Sequence, residues 1–105
     1  MKRLLSICFI VLNFLYAGAQ CTAPEAPTAT DQTVCAQTPI QTLTGTANAG
    51  AGETIVWYSA STGGSVVSSP TLNAVGTITY YAGARNTTTL CESITRTAVT
   101  LTINA

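Results

Sequence analysis

The sequence contains no histidine, and charged residues of either sign are few. Histidine is the side chain whose ordinary pKa lies nearest neutral pH, so its absence removes the proton acceptor of Ser-His-Asp and Cys-His arrangements. The sequence also has no Cys-x-x-Cys pair and therefore no zinc-ligand spacing. These absences predict that the protein is not an enzyme and uses no metal and no cofactor.

The N-terminal residues have the composition of a secretory signal peptide. Lys2 and Arg3 start the chain, an almost unbroken apolar run covers 4–16, and residues 17–19 form a small-x-small cleavage site. We therefore predict a cleaved signal peptide over 1–19. A membrane anchor is the weaker alternative, because the apolar run is shorter than the roughly 20 residues that a spanning helix needs.

The remaining chain, 20–105, has the length of one domain. Residues 20–27 include two prolines and read as an extended lead-in, followed by the domain proper over 28–105. Two arginines against four carboxylates give this part a net charge of −2, and it has no lysine. Such a surface argues against binding nucleic acid or anionic membranes. We expect a protein that is secreted or held at the cell surface, without membrane insertion after cleavage.

Three cysteines remain after removal of the leader: Cys21, Cys35 and Cys91. Cysteines of an exported protein are first interpreted as disulfide partners. An odd number allows three different single bridges and leaves one cysteine over. Spacing alone does not choose among them.

Short runs rich in threonine and valine alternate with turn residues, and no helical periodicity extends over ten or more positions after the leader. A lone tryptophan, Trp57, lies between Cys35 and Cys91. This pattern is typical of a small, disulfide-bonded β-sandwich of about seven strands. The predicted strands are 28–34, 40–47, 53–59, 66–67, 71–75, 77–84 and a last one around 98–103.

Period-two alternation divides the strands into an inner and an outer face. In the third strand Ile55 and Trp57 share one face, and Val56 and Tyr58 share the other. The predicted core consists of Leu43, Ile55, Trp57, Tyr80, Val99 and Leu101.

The same alternation places Tyr58 and Tyr81 on the outer face, side by side if their strands are neighbours. Exposed paired aromatics can stack on a sugar ring, so these two are candidate glycan contacts. The alternative, which we favour, is a cross-strand pair that stabilises the sheet.

Other polar residues give weak functional signals. Glu53 and Glu92 could in principle form an acid/base pair of the glycosidase type, but solubilising charges beside strand ends are the preferred interpretation. Arg85 and Arg96 are interpreted in the same way. Residues 86–88 match the Asn-x-Thr acceptor pattern, although a polar loop is the simpler explanation.

Taken together, several motifs resemble the CHU_C-associated Ig-like domains of secreted and surface proteins of Bacteroidetes. The resemblance covers about 24–104, nearly the whole chain after the leader. The matching segments are Thr33-Val34-Cys35, Ile55-Val56-Trp57-Tyr58 through Thr62-Gly63-Gly64, Thr79-Tyr80-Tyr81-Ala82, Cys91-Glu92-Ser93 and Arg96 to Thr100.

This resemblance implies an Ig-like Greek-key β-sandwich in which Cys35 pairs with Cys91 and Cys21 is left over. It also implies a non-catalytic spacer or adhesion module of an exported protein. Its partners would be neighbouring Ig-like repeats or surface glycans. The alternative function is a carbohydrate-binding module that uses the outer-face aromatics.

Overall fold

The computed structural model describes residues 21–105; the predicted signal peptide lies outside the described residues. This part of the chain is all-β, with seven strands and no helix, as the sequence predicts. The strands are β1 (Gln32–Cys35), β2 (Leu43–Thr44), β3 (Glu53–Tyr58), β4 (Val66–Val67), β5 (Thr71–Leu72), β6 (Gly76–Asn86) and β7 (Thr97–Asn104).

The strands form two sheets. The large sheet has the order β1-β7-β6-β3-β4, and the small sheet pairs β2 with β5. All neighbours are antiparallel except β1 and β7, which run parallel. The chain crosses repeatedly between the sheets, because strands adjacent in sequence often belong to different layers. This is the connectivity of an Ig-like sandwich.

The core lies between the sheets and is centred on β7. Val99, Leu101 and Ile103 alternate along this strand and are at most 1% exposed. Since β7 lies between β1 and β6, its inward side chains are covered on both flanks. Leu43 of β2 completes the buried cluster from the opposite sheet, and Trp57 and Tyr80 pack against it while half-buried. Ile55 is also half-buried.

Two side chains of the large sheet donate hydrogen bonds to backbone carbonyl oxygens of the small sheet. The Tyr80 hydroxyl donates to the carbonyl oxygen of Thr71 at 2.6 Å, and Gln32 Nε2 donates to that of Thr44 at 2.8 Å. Gly45 lies where the indole meets this layer: a Cβ there would be 3.3 Å from Trp57 Cη2. The small sheet is therefore held by side-chain contacts from the large sheet. These contacts add to the few backbone hydrogen bonds that its two short strands can make with each other.

Strand bounds differ from the sequence prediction mainly at the edges. The strands expected at 28–34 and 40–47 are shorter in the structure, and Ile40 lies outside β2 and is 40% exposed. By contrast, β6 extends through Arg85 and Asn86, beyond the strand end expected at residue 84. Their backbones are paired with the first residues of β3, so the partner strand keeps them extended.

The loop after β6 contains the single non-glycine residue of the described chain with a positive φ. Leu90 has φ +65° and donates its N–H to the carbonyl oxygen of Asn86 at 2.9 Å. The Asn86 side chain accepts N–H bonds from Thr88 and Thr89, at 2.8 and 2.9 Å, which shapes the turn. The Asn-x-Thr segment is therefore an Asx-stabilised turn.

Replacing Leu90 with glycine is expected to relieve steric strain, because the left-handed region is costly for residues that carry a Cβ. Relative to Leu90→Ala, which keeps the Cβ, Leu90→Gly should be more stable by about 0.5–1 kcal/mol after its larger unfolded-state entropy is counted. Urea unfolding of the two variants measures the difference. An alanine variant more stable than the glycine variant would contradict this expectation.

Candidate functional site

A group of polar side chains joined by hydrogen bonds, an ion pair and a cation–π contact lies on the outer face of the large sheet, near the ends of β3 and β6. Tyr58 pairs in register with Tyr81, and an isolated bridge pairs Arg85 with Glu92 just before β7. Alternation along β6 places Tyr81 and Arg85 on the same face. We call Tyr58, Arg85, Glu92 and Arg96 the outer-face cluster.

Glu92 is the centre of this cluster. Its Oε1 accepts a 2.5 Å hydrogen bond from the Tyr58 hydroxyl. Its Oε2 accepts hydrogen bonds from Nε of Arg85, at 3.0 Å, and from Nη2 of the same guanidinium. Because both partners are ionised, these are charge-assisted hydrogen bonds, which are stronger than those between neutral groups. Both oxygens of the carboxylate are therefore occupied by groups of the domain itself.

Arg96 lies over the aromatic ring of Tyr58. Its guanidinium carbon lies 3.5 Å from the centroid of the Tyr58 ring, within the range of a cation–π contact. Its Nη1 also donates to the carbonyl oxygens of Ala60 and Gly63, at 2.7 and 2.9 Å. A single side chain thus joins the turn between β3 and β4 to the segment that leads into β7.

The hydrogen bonds change the acidity of the cluster. Donation from Tyr58, followed in size by donation from Arg85, lowers the pKa of Glu92 from its ordinary value of 4.5. Burial, followed by the hydrogen bond to Glu92, raises the pKa of Tyr58. The hydrogen bond to Glu92 also raises the pKa of Arg85. Each shift favours the ionisation state that the contacts require: a carboxylate, a neutral phenol and a guanidinium.

Stability should fall in acid because of Glu92. A carboxyl whose pKa is lowered by folding contributes stability above its ordinary value of 4.5, and this contribution is lost as the pH falls through the folded-state pKa. Glu92→Gln is expected to cost about 1.5 kcal/mol at pH 7, the lower end of the range for hydrogen bonds to charged groups, and much less at pH 3. Urea unfolding at the two pH values measures this difference.

The matched control for that experiment is Glu25→Gln, which makes the same chemical change at an exposed residue outside the cluster. It should leave stability at pH 7 within about 0.5 kcal/mol of the parent, as surface substitutions usually do. A cost of Glu92→Gln that is the same at pH 3 and pH 7 would mean that ionised Glu92 is not what the cluster stabilises.

The two glutamates considered as an acid/base pair are not brought together. Glu53 shares the inner-face alternation of Ile55 and Trp57, and its Oε1 accepts a 2.9 Å hydrogen bond from the Gly50 N–H. Glu92 is engaged on the outer face. Glu53 instead borders a shallow cleft of about 370 Å³ between the lead-in and the loop before β3, with Glu25 on its other side.

Tyr58 is not exposed, contrary to the prediction from alternation. The register does place it opposite Tyr81 on the outer face, but only 8% of Tyr58 is accessible because Arg96 lies on its ring. Tyr81 is half-buried. Arg96 occupies the ring face on which a sugar would stack, so Tyr58 could bind a sugar in this way only if Arg96 moved away.

The disulfide joins Cys21 to Cys91, with their Cα atoms 5.8 Å apart. The predicted pairing of Cys35 with Cys91 is wrong. Cys35 is exposed and has no disulfide partner among the described residues. It pairs in register with Asn104 at the far end of β7 from Cys91, and residues 97–104 alone span about 23 Å. Two cysteines can be bridged only when their Cα atoms lie within about 7 Å.

The observed bridge continues the parallel pairing of the two ends of the chain. Gln32 pairs with Leu101, 69 residues later, and the two bonded cysteines are 70 residues apart. Between these points Thr97 Oγ1 donates to the carbonyl oxygen of Pro27, and the Thr100 N–H donates to Asp31 Oδ1 at 2.9 Å. The lead-in therefore runs beside the β7 segment from Cys21 onward, and the predicted leftover cysteine is the one that closes this edge.

Within residues 21–105, no three side chains of the metal-ligating types lie close enough together to hold an ion. In the same range there is no helix of sufficient length and apolarity to cross a bilayer.

The two packed sheets form an Ig-like β-sandwich. On its outer face, the side chains of the outer-face cluster bind one another. The model of the family described as "Ig-like domain CHU_C associated" matches residues 24–104. The chain belongs to this family. No curated protein and no solved structure matches it significantly.

Proposed function

We propose that the protein is a non-catalytic spacer and adhesion module of an exported bacterial protein, secreted or held at the cell surface. The observation that carries this proposal is the parallel pairing of β1 with β7 in a domain of the Ig-like family. Because the first and last strands run in the same direction, the chain enters at one end of the sandwich and leaves at the other. Such a domain lengthens a chain in line.

The rigidity expected of a spacer is supported by how the long loops are held. Arg96 binds two carbonyl oxygens of the β3–β4 turn. The disulfide fixes the lead-in to the segment before β7. The N-terminal lead-in and this turn are thus both tied to the segment before β7, which holds this end of the domain together. Neighbouring Ig-like repeats are the partners that such a module would have.

Export is tested by N-terminal sequencing and fractionation of the producing cell, using an antibody raised against the domain. We expect a mature protein that begins at Gln20 and is found in the medium or is accessible to protease on intact cells. A cytoplasmic protein that retains 1–19 would contradict the proposal.

Adhesion is tested by attachment of cells that lack the domain, and by affinity electrophoresis of the protein on a panel of polysaccharides. Tyr81→Ala would remove the aromatic that remains partly accessible, and Tyr58→Phe is its control, since it changes only a hydroxyl bound to Glu92. Attachment unchanged by deletion of the domain would remove adhesion from the proposal. Retardation on a glycan that Tyr81→Ala abolishes would identify the adhesion target as a sugar.

A further inference from the structure

The position of the disulfide determines which part of the chain can be stretched. Tension that enters before Cys21 and leaves at Ala105 has two covalent routes. One follows the backbone through the whole domain. The other crosses from Cys21 to Cys91 and continues along residues 92–105. The second route is far shorter. When two points are joined by two covalent routes, the shorter route sets the largest distance to which they can be pulled apart.

We propose that the Cys21–Cys91 bridge and β7 together carry the tension that crosses the domain, so that residues 22–90 are shielded from tension between its two ends. This inference deepens the spacer function proposed above and rests on it for its biological meaning. Its physical content depends only on the bonding and the strand order.

The path through the bridge has little slack. Most of it is β7, which is already extended at about 3.3 Å per residue. Fully stretched, the 14 residues of 92–105 reach about 50 Å, because an extended chain spans at most about 3.6 Å per residue. Straightening the irregular stretch before β7 therefore lengthens the domain by only roughly 10 Å. With the bridge closed, the domain is close to inextensible.

Without the bridge, the load falls on hydrogen bonds. Tension then passes from β1 to β7, which are parallel neighbours over Gln32–Cys35 and Leu101–Asn104. The Ala36 N–H adds a 2.7 Å bond to the carbonyl oxygen of Asn104. Pulling along the strands loads these bonds in shear. Once they break, the 85 residues of 21–105 can extend to about 300 Å, a gain of about 250 Å.

Single-molecule force spectroscopy tests the proposal. The full chain is produced by export, with one protein handle inserted between Ala19 and Gln20 and a second after Ala105. The Cys35→Ser background prevents cross-linking through the exposed thiol. The same molecules are then stretched before and after treatment with a small thiol reductant, and a Cys21→Ser chain is measured in parallel. Circular dichroism and Trp57 fluorescence confirm that each sample is folded before pulling.

We expect the oxidised Cys35→Ser chain to lengthen by roughly 10 Å and the reduced chain by about 250 Å. If Cys21→Ser does not fold, the comparison of oxidised with reduced Cys35→Ser molecules decides alone. A long extension of the oxidised chain would overturn the proposal, as would a reduced chain that stays short at forces that unfold the handles. Neither result depends on where the protein is located or what it adheres to, so failure of the proposed function would be seen separately.

Discussion

Replacing Cys21 with serine is expected to lower the free energy of unfolding by about 4 kcal/mol, from the loop-closure entropy of a bridge between residues 70 positions apart. This is a large part of the 5–15 kcal/mol typical of a small domain. The bridge removes conformations from the unfolded chain, and it also keeps the lead-in beside β7. Urea unfolding followed by Trp57 fluorescence measures the loss.

Two further variants make this experiment specific. Cys35→Ser changes an exposed, unbridged side chain and should shift stability by no more than about 0.5 kcal/mol. Cys91→Ser should cost at least as much as Cys21→Ser, because Cys91 is only 4% exposed and its replacement also alters packing. If Cys35→Ser were as costly as Cys21→Ser, the bridge assigned by the structure would be wrong.

Truncating Leu101 to alanine is expected to cost about 3 kcal/mol, within the 2–5 kcal/mol range of buried leucine-to-alanine changes. Leu101 is fully buried at the centre of β7, where Val99 and Ile103 flank it on the same face. With strands on both sides and Leu43 of the other sheet in the same cluster, the surroundings cannot close the cavity easily. Chemical unfolding at neutral pH measures the cost.

The matched control is Leu90→Ala, the same chemical change at a residue that is 66% exposed. Its cost should be within about 0.5 kcal/mol of zero, because little apolar area is removed from a packed environment. Equal costs at the two positions would mean that β7 does not form the centre of the core.

Local alternation was sufficient to identify the faces of the long strands. Val99, Leu101 and Ile103 form the buried face of β7. The same rule separates Tyr58 from Trp57 and Tyr81 from Tyr80, whereas the pairing of Tyr58 with Tyr81 depends on β3 and β6 being neighbours. A period of two is a property of the extended backbone, so it can be recognised without knowing what the strand packs against. Short β2 and β5 are different, because their bounds depend on contacts with the opposite sheet.

The outer-face cluster could not be inferred from alternation. Being on the outer face predicts exposure only if nothing covers that face, and here Arg96 comes from a segment 38 positions further along the chain to lie on the ring of Tyr58. Glu92 and Arg85 carry no pattern that distinguishes them from solubilising charges. They became partners because the chain before β7 pairs with the end of β6.

By itself the sequence determined that the described domain is all-β, that its length suits one sandwich, and that β7 has one buried face. These properties depend on backbone periodicity and composition, which are local. The bridge between Cys21 and Cys91 was decided only by the tertiary structure, because disulfide formation depends on the distance between Cα atoms. That distance follows from the parallel register of β1 with β7, a contact between the two ends of the chain that no local pattern encodes.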